Sequence, residues 1–235
     1  MKASTTSSTG LSRRSFLRNT GAATVGLALA APHARVLGAN DDIRVAVVGV
    51  HGRGGDHINE YSRIAGTRVV ALCDVDRDVL AARAEALAKK DNPVKTFVDV
   101  RELLDSGEVD AISVATTNHS HSLITVWACQ AGKDVYVEKP LTLFVREGRW
   151  MLDVRDRTKR VVQVGTQQRS GPHYKRAKKL IQGGHLGKVF SVKAGAARNI
   201  LPGYGSPATS EPPPYLDWEM LIGPAPMVAY NPKRA

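Results

Sequence analysis

Between Arg44 and Val137 the sequence repeats one unit: a short apolar run, a turn, then a stretch with apolar residues at helical spacing. The apolar runs are Arg44–Gly49, Thr67–Cys73, Val94–Phe97, Ala111–Ala115 and Val135–Val137. The helical stretches carry Ile58, Tyr61, Ile64 and Ala65, then Leu80, Ala84, Leu87 and Ala88, then Val100–Leu104, then Leu123, Val126 and Trp127. The first run is apolar at nearly every position instead of alternating, which marks a strand buried on both faces. Strands separated by helices of this length pair in parallel, because a parallel neighbour requires a long crossover. The expected fold class is therefore α/β, a doubly wound parallel sheet over residues 41–160.

The turn after the first run reads Gly49-Val50-His51-Gly52-Arg53-Gly54-Gly55. A dinucleotide-binding turn has glycines at the first, third and sixth positions, for a tight turn, close pyrophosphate approach and close helix packing respectively. Gly49 and Gly54 fill the outer two. His51 stands at the middle one, and Gly52 restores a small residue next to it. Backbone N–H groups and the positive end of the helix would then face phosphates, with Arg53 as a further phosphate contact. Asp74 closes the second strand about 20 residues after Gly54, where an acid hydrogen-bonds the adenosine ribose. Strand, glycine turn, helix, strand and terminal acid in that order identify a Rossmann-type site. The carboxylate repels a 2′-phosphate, so NAD is the expected cofactor, with NADP the lesser option kept open by Arg77.

The first 40 residues read as a signal peptide and linker. Ser12-Arg13-Arg14-Ser15-Phe16-Leu17-Arg18 precedes the uncharged run Gly21–Ala31 and small residues suited to cleavage. The arginine pair followed by Phe16-Leu17 matches a twin-arginine signal, so the expected partners include that export machinery and the expected location is periplasmic or otherwise exported. The run of about 11 residues is too short to span a bilayer, which takes roughly 20, so no stable membrane anchor is expected. The net charge of +11 draws on Lys2, Arg13, Arg14, Arg18 and Arg35 in this leader, which has no acid. What remains is mildly basic and gives no nucleic-acid signal. Cys73 and Cys129 sit in apolar runs and read as core thiols.

After Val161–Val164 the pattern changes. Residues 172–182 read as a helix with a basic face and an inward stripe of Ala177, Leu180 and Ile181. Gly187–Ala197 reads as a long strand. The proline- and glycine-rich stretch from Leu201 to Pro214 reads as an irregular loop, over the surface or over a substrate.

Four segments together, Gly49–Gly54, Ala115-Thr116-Thr117-Asn118-His119-Ser120-His121, Glu138-Lys139-Pro140 and Gly165-Thr166-Gln167-Gln168-Arg169-Ser170, resemble the Gfo/Idh/MocA family of nicotinamide-dependent oxidoreductases. The likeness continues into Trp218, Gly223-Pro224-Ala225-Pro226 and Tyr230-Asn231-Pro232, as in exported bacterial members. The resemblance implies cofactor contacts from Gly49, His51, Gly52, Arg53, Gly54 and Asp74. It implies further contacts from Thr116, Thr117, Asn118 and His121 beside the nicotinamide, and from Glu138, Lys139 and Gln167. Thr117 departs from the family's usual proline, and His51 from its usual glycine. Lys139 is the implied catalytic residue. A lysine near the substrate oxygen, with a pKa lowered by burial, relays the proton while NAD takes the hydride; the alternative is an ion pair with Glu138. His119 and His121 lack a third ligand at metal-site spacing, and no metal is expected.

The resemblance also implies a second, α+β substrate domain carrying a catalytic histidine, and homo-oligomerisation of the full-length form. Residues 161–235 hold only the start of such a domain, so a fragment or broken gene, inactive alone, is expected. The expected function is oxidation of a sugar or polyol hydroxyl. The alternatives are a hydrolase or lyase that oxidises its sugar transiently, and a non-catalytic nucleotide-binding remnant.

Overall fold

The structure, a computed structural model, describes residues 42–195, 205 and 207–233. The leader with Arg13 and Arg14, the end of the expected strand at Ala196 and Ala197, and Leu201-Pro202-Gly203 lie outside the described residues. No described helix is long and apolar enough to cross a membrane.

Six strands, β1 (Ile43–Val48), β2 (Thr67–Cys73), β3 (Lys95–Phe97), β4 (Ala111–Val114), β5 (Asp134–Glu138) and β6 (Val162–Gly165), form one sheet in the order β3-β2-β1-β4-β5-β6. Every neighbouring pair is parallel. The crossovers contain α1 (Gly52–Tyr61), α2 (Arg77–Ala88), α3 (Val100–Asp105), α4 (His121–Gln130) and α5 (Val145–Thr158). The two faces of the sheet bury separate clusters. Val47, Val69 and Leu72 pack with Ile58 of α1 and Leu80 and Leu87 of α2. Ala46, Val48, Ile112 and Val137 pack with Leu103 of α3, Ile124 of α4 and Met151 of α5. Each fully buried valine or leucine contributes about 1.5–3 kcal/mol, which explains the unbroken apolar run in β1. Cys73 and Cys129 are buried free thiols.

Several boundaries differ from the sequence expectation. The sheet extends beyond residue 160, because Val162–Gly165 pairs with Val135–Glu138. Helix α1 stops at Tyr61, where the Ser62 hydroxyl donates to the Ile58 carbonyl at 2.7 Å, and Ile64 is left half exposed in the turn. Helix α6 (Pro172–Gln182) forms as expected, but Ala177, Leu180 and Ile181 are exposed, since no described element packs against them. The expected strand from Gly187 is irregular and exposed through Gly195. A strand requires a partner ladder, and among the described residues this segment has none.

Residues 207–233 return to the sheet as an arm. Its short helix α7 (Trp218–Ile222) is capped by the Asp217 carboxylate, which accepts from the Met220 N–H at 3.0 Å. Trp218 is buried, donates its indole N–H to the Val228 carbonyl at 2.8 Å and meets Tyr230 edge-on at 5.1 Å. The arm joins the sheet beyond β2. Leu216 bridges Asp76 in antiparallel fashion, the Arg77 N–H donates to Tyr215 O at 2.9 Å, and the Asp217 N–H donates to Val75 O at 3.0 Å.

Candidate cofactor and active site

Strand order reverses at β1, with β2 on one side and β4 on the other. Crossovers leave in opposite directions there and open a crevice at the strands' C-terminal ends, where α/β proteins bind ligands. A cavity of about 1100 Å³ lies at this point. Gly49, His51, Asp74, Thr116 and Thr117 line it, together with Val98–Arg101 after β3 and part of the arm.

The glycine turn is sterically required. Gly49 has φ +83°, and a Cβ there would lie 2.7 Å from the Ala115 carbonyl carbon. A Cβ on Gly54 would lie 1.7 Å from the Gly49 carbonyl oxygen. The first and last glycines of the pattern thus permit the close approach of helix, turn and β4. Gly52 begins α1 and faces open space, so no steric demand compensates for His51. His51 is the residue before the helix and does not cap it with its side chain. By contrast, Asp76 caps α2 by accepting from the Val79 N–H at 3.0 Å, and Asp99 caps α3 by accepting from the Arg101 N–H at 2.8 Å. The first N–H groups of α1 therefore keep their hydrogen-bonding capacity for an anion.

Asp74 is nearly buried and accepts the Val50 N–H at 2.7 Å and the Asp76 N–H at 3.0 Å. Those two bonds orient the carboxylate and use only part of its acceptor capacity. The His51 ring stands 3.3 Å from the Asp76 carboxylate and 4.0 Å from that of Asp74. Carboxylates of Asp74 and Asp76 at one end of the cleft suit two ribose hydroxyls and oppose a 2′-phosphate. A backbone approach, open helix-end donors, a fixed ribose acceptor and a cavity of about 1100 Å³ fit NAD.

A second cluster lies behind the cleft. Glu138, at the end of β5, is buried and accepts from Arg53 Nε at 2.8 Å and from the Lys139 N–H at 3.1 Å, with His57 Nε2 3.0 Å away. The Ser113 hydroxyl lies 2.8 Å from His57 Nδ1. Burial alone would raise the Glu138 pKa, but Arg53, the Lys139 N–H and His57 together hold it below the usual carboxylate value. Burial dominates at His57 and lowers its pKa. The neutral ring donates from Nε2 to Glu138 and accepts the Ser113 hydroxyl at Nδ1.

The other residues singled out in the sequence stand in varied surroundings. The Arg53 guanidinium is engaged by Glu138 and by Asp56 at 3.2 Å, not presented to a phosphate. His121 is buried, and its ring nitrogens lie 2.7 Å from Pro140 O and 3.1 Å from Thr116 O. It ties the loop after β4 to the loop after β5 and does not line the cavity. His119 lies 3.0 Å from Leu221 O in the arm. Among the described residues no group of His, Cys, Asp or Glu could hold a metal. Asn118, Glu138, Lys139 and Gln167 also lie off the cavity wall. Lys139 is exposed, so the burial expected of it is not found, and its ammonium forms no ion pair among the described residues. Asp76, His57 and the arm were not anticipated as site elements. An aspartate just before a helical run was the only local signal for Asp76.

Residues 43–166, more than half of the chain, match the family model described as an oxidoreductase family with an NAD-binding Rossmann fold. The chain belongs to the Gfo/Idh/MocA family. It is 32% identical over 152 residues to scyllo-inositol 2-dehydrogenase (NAD(+)) of Bacillus subtilis, covering 64% of this chain and 43% of that protein. Myo-inositol 2-dehydrogenase of Lactobacillus plantarum superposes with a TM-score of 0.57 at 29% identity, over 63% of this chain and 43% of that one. Scyllo-inositol dehydrogenase of Lactobacillus casei, solved with NAD(H) and scyllo-inositol, gives a TM-score of 0.56 at 25% identity, over 63% and 43% of the two chains. The Gfo/Idh/MocA chain described here thus spans less than half the length of these relatives.

Proposed function

We propose that this protein oxidises a hydroxyl group of a polyol or sugar with NAD as hydride acceptor. The observation that carries the reading is the cleft itself, with an uncapped helix end and the oriented Asp74 carboxylate at opposite sides of one glycine turn. Inositol dehydrogenases among the relatives support a polyol as the substrate class.

When bound, NAD accepts the hydride from the carbon that bears the hydroxyl. The chain's own part is to bind, orient and move the proton. Asp74 takes the adenosine ribose and the α1 N-terminus the pyrophosphate. The loops carrying Thr116, Thr117, Asn118 and Gln167 border the nicotinamide half. Lys139, just after β5 and in no ion pair among the described residues, would take the hydroxyl proton in its neutral amine form and become the ammonium. Glu138 fixes the Lys139 backbone, and His57 and Arg53 fix Glu138 in turn.

The test is NADH formation by the purified protein across a panel of inositols and sugars. Turnover on at least one polyol is expected of a full-length form, in which Lys139→Ala should cut kcat at least tenfold while leaving NAD affinity unchanged; residues 1–235 alone are expected to bind NAD without turnover. Cleaved product without net NADH would mean a redox-neutral hydrolase or lyase. Bound cofactor with no product of either kind from the full-length form would leave a nucleotide-binding remnant. The arginine pair and apolar run of the leader support export by the twin-arginine route with the cofactor already bound, which cell fractionation tests.

A further inference from the structure

The family match ends at residue 166, yet part of the cavity wall comes from residues 215–232. We infer that this arm is the outer wall of the adenosine site, holding the adenine ring of the dinucleotide against the sheet. The inference rests on the reading of the cleft as an NAD site.

Position decides which half of the ligand the arm meets. The arm docks on Val75, Asp76 and Arg77, directly after the strand that ends in Asp74. The neighbouring wall is Val98–Arg101, after β3. Both lie on the β2–β3 side of the sheet, whereas Lys139 follows β5 on the other side. A dinucleotide with its ribose at Asp74 therefore places adenine between the loop after β3 and the arm.

The surface chemistry matches that ligand. Adenine is a flat ring with apolar faces and a polar edge. Leu123 and Trp127 of α4 face the cavity from the sheet side, and Tyr215, Met220 and Leu221 face it from the arm. The arm also brings Asp217 and Glu219 to a rim that already holds Asp74 and Asp76. Added negative charge there disfavours a 2′-phosphate further. The arm is held in place by contacts within the chain. Trp218 anchors it internally, an antiparallel bridge of two backbone hydrogen bonds joins it to the β2–α2 loop, and His119 reaches Leu221 O from the loop after β4. A preformed wall loses little conformational freedom when the ring arrives, so it should act mainly by slowing release.

The experiment compares the wild-type protein with Met220→Asp and Tyr215→Ala, using NAD, AMP and nicotinamide mononucleotide as probes in titration calorimetry and stopped-flow release. Both variants are expected to raise Kd for NAD and AMP by the same factor, at least fivefold, through faster release. Nicotinamide mononucleotide should bind as before. Hydrogen–deuterium exchange on the wild-type protein guards against misfolded variants: AMP should protect residues 213–230, and nicotinamide mononucleotide should not. If NAD binds but the arm gains no protection and both variants keep wild-type Kd values, the arm is not a wall of the site. If the wild-type protein binds neither NAD nor AMP, the cofactor reading fails and this inference with it.

Discussion

Asp74 shows how much one residue can reveal and how much it leaves hidden. Its place at the end of an apolar strand, at the right interval from Gly54, was visible in the sequence because both are local facts. Its two bonds from the Val50 and Asp76 N–H groups depend on the folded turn and were not. Asp74→Ala should weaken NAD binding by about 1–3 kcal/mol, the cost of hydrogen bonds lost to a charged partner, as read by titration calorimetry. A thermal melt of the variant separates this from slackening of the turn, and an unchanged Kd in a folded variant would remove Asp74 from the site. Arg53 is the reverse case. An arginine beside a glycine turn suggests a phosphate contact, but Glu138, a residue far away in sequence, engages its guanidinium first.

At the scale of elements, helix α1 and strand β5 meet through His57, Glu138 and Arg53, with Ser113 of β4 behind them. Asp56, Tyr61 and Tyr136 are the other titratable groups around His57. Since burial lowers the His57 pKa, the unfolded chain takes up a proton that the folded one refuses. Stability should therefore decline as pH falls below about 6.5, the ordinary histidine value. Glu138 is held below its ordinary value, so its contribution is present above about pH 4.3 and is lost as pH falls through its folded pKa. Urea midpoints measured from pH 8 to about pH 2 should show both declines, and His57→Gln should flatten the first while retaining the second. An equally steep curve in the variant between about pH 6.5 and 5 would assign that decline to another group. Element order was legible, since burial on two faces requires unbroken apolar runs and crossovers require helical spacing. The ends of elements were less so. Ile64 keeps helical spacing beyond Tyr61 although the Ser62 cap has already turned the chain, and Val162–Gly165 joins the sheet only because β5 offers it an edge.

For the whole molecule, the leader makes a claim about location that the fold does not address. Changing Arg13 and Arg14 together to lysine should retain the protein in the cytoplasm, because a receptor reads that pair; fractionation of cells expressing both forms checks it. Continued export would place the leader in the ordinary secretory class. The arm was the least legible part of the site. Its proline-rich approach reads as a loop, and it docks through main-chain groups such as the Arg77 N–H, which any residue but proline supplies. Its placement also sets an order in time. A ribosome releases the glycine turn and Asp74 early, with β1 in the middle of a sheet that is still missing four of its six strands. The adenosine wall comes out near the end of the described chain. During synthesis the nucleotide would therefore meet first a shallow cradle open to water, and only later a closed slot. Capture of the cofactor then follows completion of the sheet instead of accompanying release of the glycine turn.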